Sequence, residues 1–167
     1  MMLNSFGIIG IIIGITSLSI GLLVYLYDKG SRTNQLWLYF AITIAVWGIG
    51  SYIISITSDP LTSLILWRAT YVGVILIPFL YINFIFSYLE IKSSFITVGA
   101  LIIGFVFLIL DTTSIFISSV GYVFNLFYYI RPPTLFYNLF VLCFLLTVCY
   151  VLIVLLKAYQ TTEDGMK

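Results

Sequence analysis

The chain has 167 residues, 62% of them hydrophobic and 8% charged, with a net charge of +1 and a mean hydropathy of +1.20. A soluble domain carries about 25% charged residues, so too few polar side chains are present to cover a water-facing surface. The small net charge offers no basis for nucleic-acid binding, and the absence of histidine removes the commonest general base, metal ligand and haem ligand together.

Several separated apolar runs reach the roughly 18 residues that mark a membrane span. They predict an all-α fold: a polytopic transmembrane helix bundle of about five spans, forming one domain over residues 1–167. The first span covers residues 6–27 and gives way to the polar stretch Asp28 to Asn34. No basic region precedes it, and Lys29 and Arg32 follow it, which suits a retained helix with its N terminus outside rather than a cleaved signal peptide. The second span covers 36–56 and ends at Thr57-Ser58-Asp59-Pro60. The third covers 64–89 and is closed by Glu90, Lys92, Ser93 and Ser94. The fourth covers 95–111. The fifth covers 133–156, after Arg131-Pro132-Pro133, and a cytoplasmic polar tail occupies 157–167. Each break joins charge to Gly, Ser or Pro, as a helix end should.

The segment from Thr112 to Ile130 is apolar but short. Gly121, Asn125 and a wealth of β-branched and aromatic residues make it read as two short strands around Ser118 to Gly121, lying outside the bilayer or at its surface. Charge agrees with that placement. With five spans and the N terminus outside, Lys29, Arg32, Lys92, Lys157 and Lys167 fall inside, and Arg68 and Arg131 outside, which follows the positive-inside bias.

The first helix carries Gly7, Gly10, Gly14 and Gly21. Small residues on one face let helix backbones approach closely in lipid, so the Gly7/Gly10/Gly14 face is expected to pack within the bundle or to form a homodimer. In the third helix, Pro78 removes a backbone hydrogen bond and is expected to kink the helix near mid-membrane. Gly73, Leu76, Leu80, Asn83 and Ser87 share one of its faces. Asn83 needs an interhelical partner or a place in a pocket wall. Arg68 is expected to snorkel outward, to pair with Asp59, or to meet an anionic ligand. Trp37, Trp67, Tyr25, Tyr27, Tyr39, Tyr128, Tyr129 and Tyr159 fall near span ends as interfacial anchors, whereas Trp47, beside Gly48 and Gly50, is expected inside the bundle. Cys143 and Cys149 are six apart in one helix and read as small packing residues. No phosphate-binding glycine loop, metal-ligand cluster or paired carboxylate lies in a span, so no catalytic site, cofactor or metal is expected.

The stretches Trp47-Gly48-Ile49-Gly50-Ser51, Leu66-Trp67-Arg68-Ala69-Thr70-Tyr71-Val72-Gly73-Val74, Ile77-Pro78-Phe79 and Phe84-Ile85-Phe86-Ser87-Tyr88-Leu89 resemble the N-terminal seven-transmembrane sensor region of prokaryotic histidine kinases and diguanylate cyclases. The resemblance implies a ligand sensor that signals to a cytoplasmic kinase or cyclase module. The chain departs from it in having five predicted spans rather than seven. It also stops at Lys167 without a transmitter module, which reads as a truncated gene, a fragment or a stand-alone sensor.

The leading expectation is a non-enzymatic sensory or receptor-like input domain of a signal-transduction protein. Trp47, Arg68, Tyr71, Gly73, Pro78 and Asn83 are its candidate ligand or signalling positions. The ligand is expected in the outer half, beside Arg68, Tyr71 and the Thr112–Ile130 segment. Two other readings stand beside it: an accessory or structural subunit of a multi-pass membrane complex, and a transporter or channel fragment with a polar path past Thr43, Asn83 and Ser87.

Overall fold

The computed structural model describes residues 5–92, 94–131 and 134–164. Ser93 in the third predicted break, the Pro132-Pro133 pair before the fifth span, and residues 165–167 of the tail lie outside that set. Among the described residues, five helices and one small sheet follow in chain order: α1 Ser5–Tyr27, α2 Arg32–Ser55, α3 Pro60–Tyr88, α4 Ser94–Asp111, strands β1 Val120–Val123 and β2 Phe127–Ile130, and α5 Leu135–Asp164. Helices α1, α2, α3 and α5 are long and apolar enough to cross a membrane. The fourth predicted span is the shorter apolar helix. At 18 residues it rises about 27 Å, against a hydrocarbon core of about 30 Å. The fifth helix runs through the stretch read as a polar tail, as far as Asp164.

Local chemistry sets the helix ends. The turn between α1 and α2 is tied by Asp28 Oδ1, which accepts from the Gly30 and Ser31 amides, and by Asn34 Nδ2, which donates to the Val24 and Asp28 carbonyls. Ser31 caps α2 by accepting from the Asn34 amide at 3.3 Å. Asp59 caps α3 by accepting from the Thr62 amide at 2.6 Å, with Pro60 at the first helical position. Such caps satisfy amide donors that have no carbonyl partner in the first turn, and each contributes about 1 kcal/mol. The hydrogen bonds from Thr62 hold the Asp59 carboxyl below its ordinary range. At the far end of α3 the Ile91 amide reaches back to the Phe86 carbonyl and the Glu90 amide to that of Ser87. This is a helix stop that usually employs glycine, because the residue after the cap is left-handed. Here that residue is Glu90, at φ 56°.

Helix α3 is the hub. It packs against α2, α4, α5 and both strands. Helix α1 packs on α2 through its glycine face: Gly7, Gly10, Gly14 and Gly21 are all buried. A Cβ on Gly10 would lie 2.8 Å from the Gly48 carbonyl oxygen, and one on Gly48 would lie 2.7 Å from the Gly14 nitrogen. Of the two expectations for the Gly7/Gly10/Gly14 face, packing within the bundle is met: Gly10 and Gly14 lie against α2. Gly73 serves the α2–α3 seam in the same way, since a Cβ there would meet the Thr43 carbonyl at 2.6 Å.

The strands pair antiparallel from Val120↔Ile130 to Val123↔Phe127. Their turn is Phe124-Asn125, both at φ 53°, closed by the Leu126 amide on the Val123 carbonyl. Two consecutive positive φ values suit the right-handed twist of a hairpin. The hairpin therefore turns several residues beyond the predicted Ser118–Gly121.

Candidate functional site

The hairpin closes one end of the bundle over an aromatic cluster. Trp67, Tyr71, Phe107, Phe116 and Phe140 are buried there, and Val120 of β1 and Ile130 of β2 pack against them. Phe6 of α1 stacks on Phe127 with ring centres 4.5 Å apart and planes at 2°. Trp67, expected as an interfacial anchor, is instead 3% exposed. Its position facing the hairpin explains the difference: Nε1 finds the Tyr128 carbonyl at 3.0 Å, so the indole can leave water without an unmet donor. Tyr71 meets Tyr137 of α5 with phenol oxygens 2.7 Å apart.

Arg68 stands on the next position of α3 and fastens the segment that follows α4. Its Nη2 donates to the Ile117 carbonyl at 2.9 Å and its Nη1 to that of Thr112 at 3.4 Å. Pairing with Asp59, one of the three roles expected for Arg68, does not form; the guanidinium turns to the Thr112 and Ile117 carbonyls instead. The carboxylate near Arg68 is that of Asp111, the last residue of α4. Asp111 is 2% exposed, and its Oδ1 has no hydrogen-bond partner among the described residues; Arg68 Nε is in the same condition. An unmet buried polar atom costs about 1–3 kcal/mol. The site thus holds one unused acceptor on Asp111 and one unused donor on Arg68, beside the aromatic cluster.

Helix α5 enters this assembly at its first turn. Thr134 Oγ1 donates to the Phe116 carbonyl at 3.0 Å and accepts from the Tyr137 amide at 3.2 Å. Phe140 packs edge-on against Phe107 and Phe116. Further along, Val151 is fully buried against Ile82, Ile85 and Phe86 of α3.

Of the six candidate positions, the structure brings Arg68 and Tyr71 together with the Thr112–Ile130 segment. Gly73 and Pro78 lie farther along α3, buried in the bundle. Trp47 is half-buried on α2 and takes no part in the aromatic cluster. Asn83 does not reach another helix. Its Nδ2 donates to the Phe79 carbonyl one turn back, at 2.6 Å, and the residue lines a separate cleft at the opposite end of α3. The residues of the suggested polar path are engaged with other partners: Thr43 donates to the Phe40 carbonyl one turn back, and Ser87 shares a 2.8 Å interhelical hydrogen bond with Thr33 of α2. Trp67, Asp111, Thr134 and Tyr137 escaped the sequence reading as site residues. Asp111 had a signal, being the acid that ends an apolar run. Tyr137 had none beyond its place in a tyrosine-rich chain.

No protein-family model, curated protein or solved structure matches this chain. Its class therefore rests on its own architecture: a helical bundle with four helices of membrane-spanning length, closed at one end by a hairpin.

Proposed function

We propose that the chain is a multi-pass cell-membrane protein, N terminus outside and C terminus cytoplasmic, that acts as the sensory input domain of a signalling protein. The hairpin assembly around Arg68 is its stimulus-responsive element, and α5 is its output rod. The observation that carries this reading is the anchorage of α5. The helix is held at its first turn by Thr134, Tyr137 and Phe140, then continues unbroken for 30 residues. That is about 45 Å, more than the hydrocarbon core needs, so its last turns project beyond the bilayer, where a kinase or cyclase module would attach. Exposed Phe105, Ile102, Leu146 and Leu156 give α4 and α5 the apolar outer faces that lipid requires.

A stimulus shifts an equilibrium only as far as it binds the two states differently. The unused groups on Arg68 and Asp111 supply that difference: a small ligand offering a donor and an acceptor would satisfy both and change how tightly the hairpin is held. Pro78 supplies a bending point in α3 between this site and the far end. The test is to fuse a diguanylate cyclase module after Lys167 in successive helical registers and compare native and Arg68→Ala output. A change in output in at least one register supports the reading. Equal output in every register, with the fusions folded and in the membrane, refutes it. The accessory-subunit reading rests on the same apolar faces of α4 and α5, and a stoichiometric membrane partner on co-purification would favour it.

A further inference from the structure

The end of the bundle opposite the hairpin carries a cleft of about 450 Å³, inside the range of small-molecule sites. Arg32, Lys92 and Glu90 supply its charges, and Ser87 and Thr97 supply hydroxyls. Leu36, Phe86 and Ile91 form its apolar flank. Three helix ends meet here. Helices α2 and α4 begin beside the cleft and α3 ends there. Helix N-termini favour negative charge and C-termini positive charge. The fixed dipoles and the side chains therefore agree: Arg32, at the start of α2, marks a place for an anion, and Glu90, just past the end of α3, marks a place for a cation. Glu90 also holds a left-handed backbone at φ 56°, where glycine would sit without strain. Strain kept at a charged side chain in a cleft points to use of that side chain.

We infer that this cleft binds the headgroup of a phospholipid that carries both a phosphate and a primary ammonium, as phosphatidylethanolamine does. Arg32 and Lys92 take the phosphate oxygens, Glu90 takes the ammonium, and the first acyl methylenes lie along Leu36 and Phe86. The inference rests on the membrane reading but not on which face of the bilayer this end meets, because both leaflets present headgroups.

The test uses the full chain in nanodiscs of phosphatidylcholine alone, or of equimolar phosphatidylcholine and phosphatidylethanolamine, with retained lipid counted by native mass spectrometry. The native chain should retain phosphatidylethanolamine in preference to phosphatidylcholine. Arg32→Gln/Lys92→Gln should lower retention of both lipids about tenfold, the loss expected when charge-assisted phosphate contacts go. Glu90→Gln should leave phosphate binding intact and abolish the preference. Glu90→Gly, which relieves the backbone, should fold at least as well as the native chain and lose the preference too, so misfolding cannot account for the result. Arg131→Gln, at the hairpin end, should change nothing. Equal retention in the native chain and the double variant overturns the inference, as does an equal loss in Arg131→Gln. A thermal shift of the detergent-solubilised chain by millimolar inorganic phosphate, with no lipid preference, would reassign the site to a free anion and overturn it as well. Failure of the chain to enter nanodiscs would instead count against the membrane reading itself.

Discussion

Replacing Arg68 with Met keeps most of the side chain's apolar stem and removes the guanidinium. Two losses follow. The 2.9 Å bond to the Ile117 carbonyl goes, and a hydrogen bond to a charged group contributes about 1.5–3 kcal/mol. The 3.4 Å contact with the Thr112 carbonyl is exposed and long, and it adds little. The second loss is electrostatic. Asp111, 2% exposed, is left without its nearby opposite charge; because the two side chains form no ion pair among the described residues and Arg68 is half-buried, this loss is on the order of 1 kcal/mol. The single variant should lose about 3 kcal/mol. Asp111→Asn in the native background should be near neutral, since it discards a desolvated charge together with its attraction to Arg68. Arg68→Met/Asp111→Asn should recover about 1 kcal/mol of the single-variant loss, because the orphaned charge is gone. The assay is reversible unfolding in detergent as a double-mutant cycle, with proteolysis of the hairpin as a local readout. A coupling energy below about 0.5 kcal/mol would show the two residues to be independent and would remove the reasoning for a charge-coupled site.

Gly48→Ala places a Cβ 2.7 Å from the Gly14 nitrogen and should cost about 1–3 kcal/mol by overpacking, whereas Gly99→Ala, with nothing within 4 Å, should be neutral or stabilising by up to about 1 kcal/mol; thermal unfolding of the two side by side checks the α1–α2 seam. Asp59 has its folded pKa lowered, first by its hydrogen bonds to Thr62. Its contribution is therefore present above the unfolded carboxyl pKa and is lost as pH falls through the folded value. Asp59→Asn should make stability less steep in acid, and a native-minus-variant curve that stays flat below about pH 4 would contradict the capping account. Phe124→Gly removes a left-handed aromatic at φ 53° that is 87% exposed. It should stabilise the hairpin by about 1 kcal/mol, read as slower proteolysis within residues 120–130.

The helices were legible because hydropathy over twenty residues is a strong signal and because the stops are chemical. Asp59-Pro60 and Ser31 lie in the polar breaks that were expected to end the helices, and both serve as caps there. The hairpin was legible as a kind of element but not in register. Val, Ile, Phe and Tyr on both sides of the turn give no alternation to count, and the turn uses Phe124-Asn125 rather than a glycine. Asn125, which tolerates a left-handed backbone, was the one local clue. The site was half legible. Arg68 announces itself as a charge inside an apolar run. Its partners, the carbonyls of Thr112 and Ile117, are backbone groups, and every residue has one. Trp67 was misplaced for a related reason: whether an indole near a helix end faces lipid or core depends on what covers that end, and the covering residues lie about sixty positions away. Of the two places expected for Asn83, it takes the pocket wall: it lines the cleft at the far end of α3, with its Nδ2 donating to a carbonyl one turn back on its own helix.

Pro78 offers the sharpest test of α3 as a bending element. It is buried within an unbroken helix, and it has no amide hydrogen to give to the Val74 carbonyl four residues back. Pro78→Ala restores that donor. Proline is about 3 kcal/mol less favourable than alanine inside a helix, while losing two buried methylenes costs about 1.6 kcal/mol at 0.8 each. The variant should therefore be more stable by roughly 1 kcal/mol and should resist bending. If the helix must bend there for the hairpin site to affect α5, the stabilised variant should give a cyclase-fusion output fixed at one level, insensitive to Arg68→Ala. If Pro78 is only a tolerated packing residue, the output of Pro78→Ala should follow that of the native chain, responding to Arg68→Ala by the same ratio. Stability and output are measured on the same protein, so a gain in the first with an unchanged ratio in the second would refute the hinge while leaving the helix energetics intact.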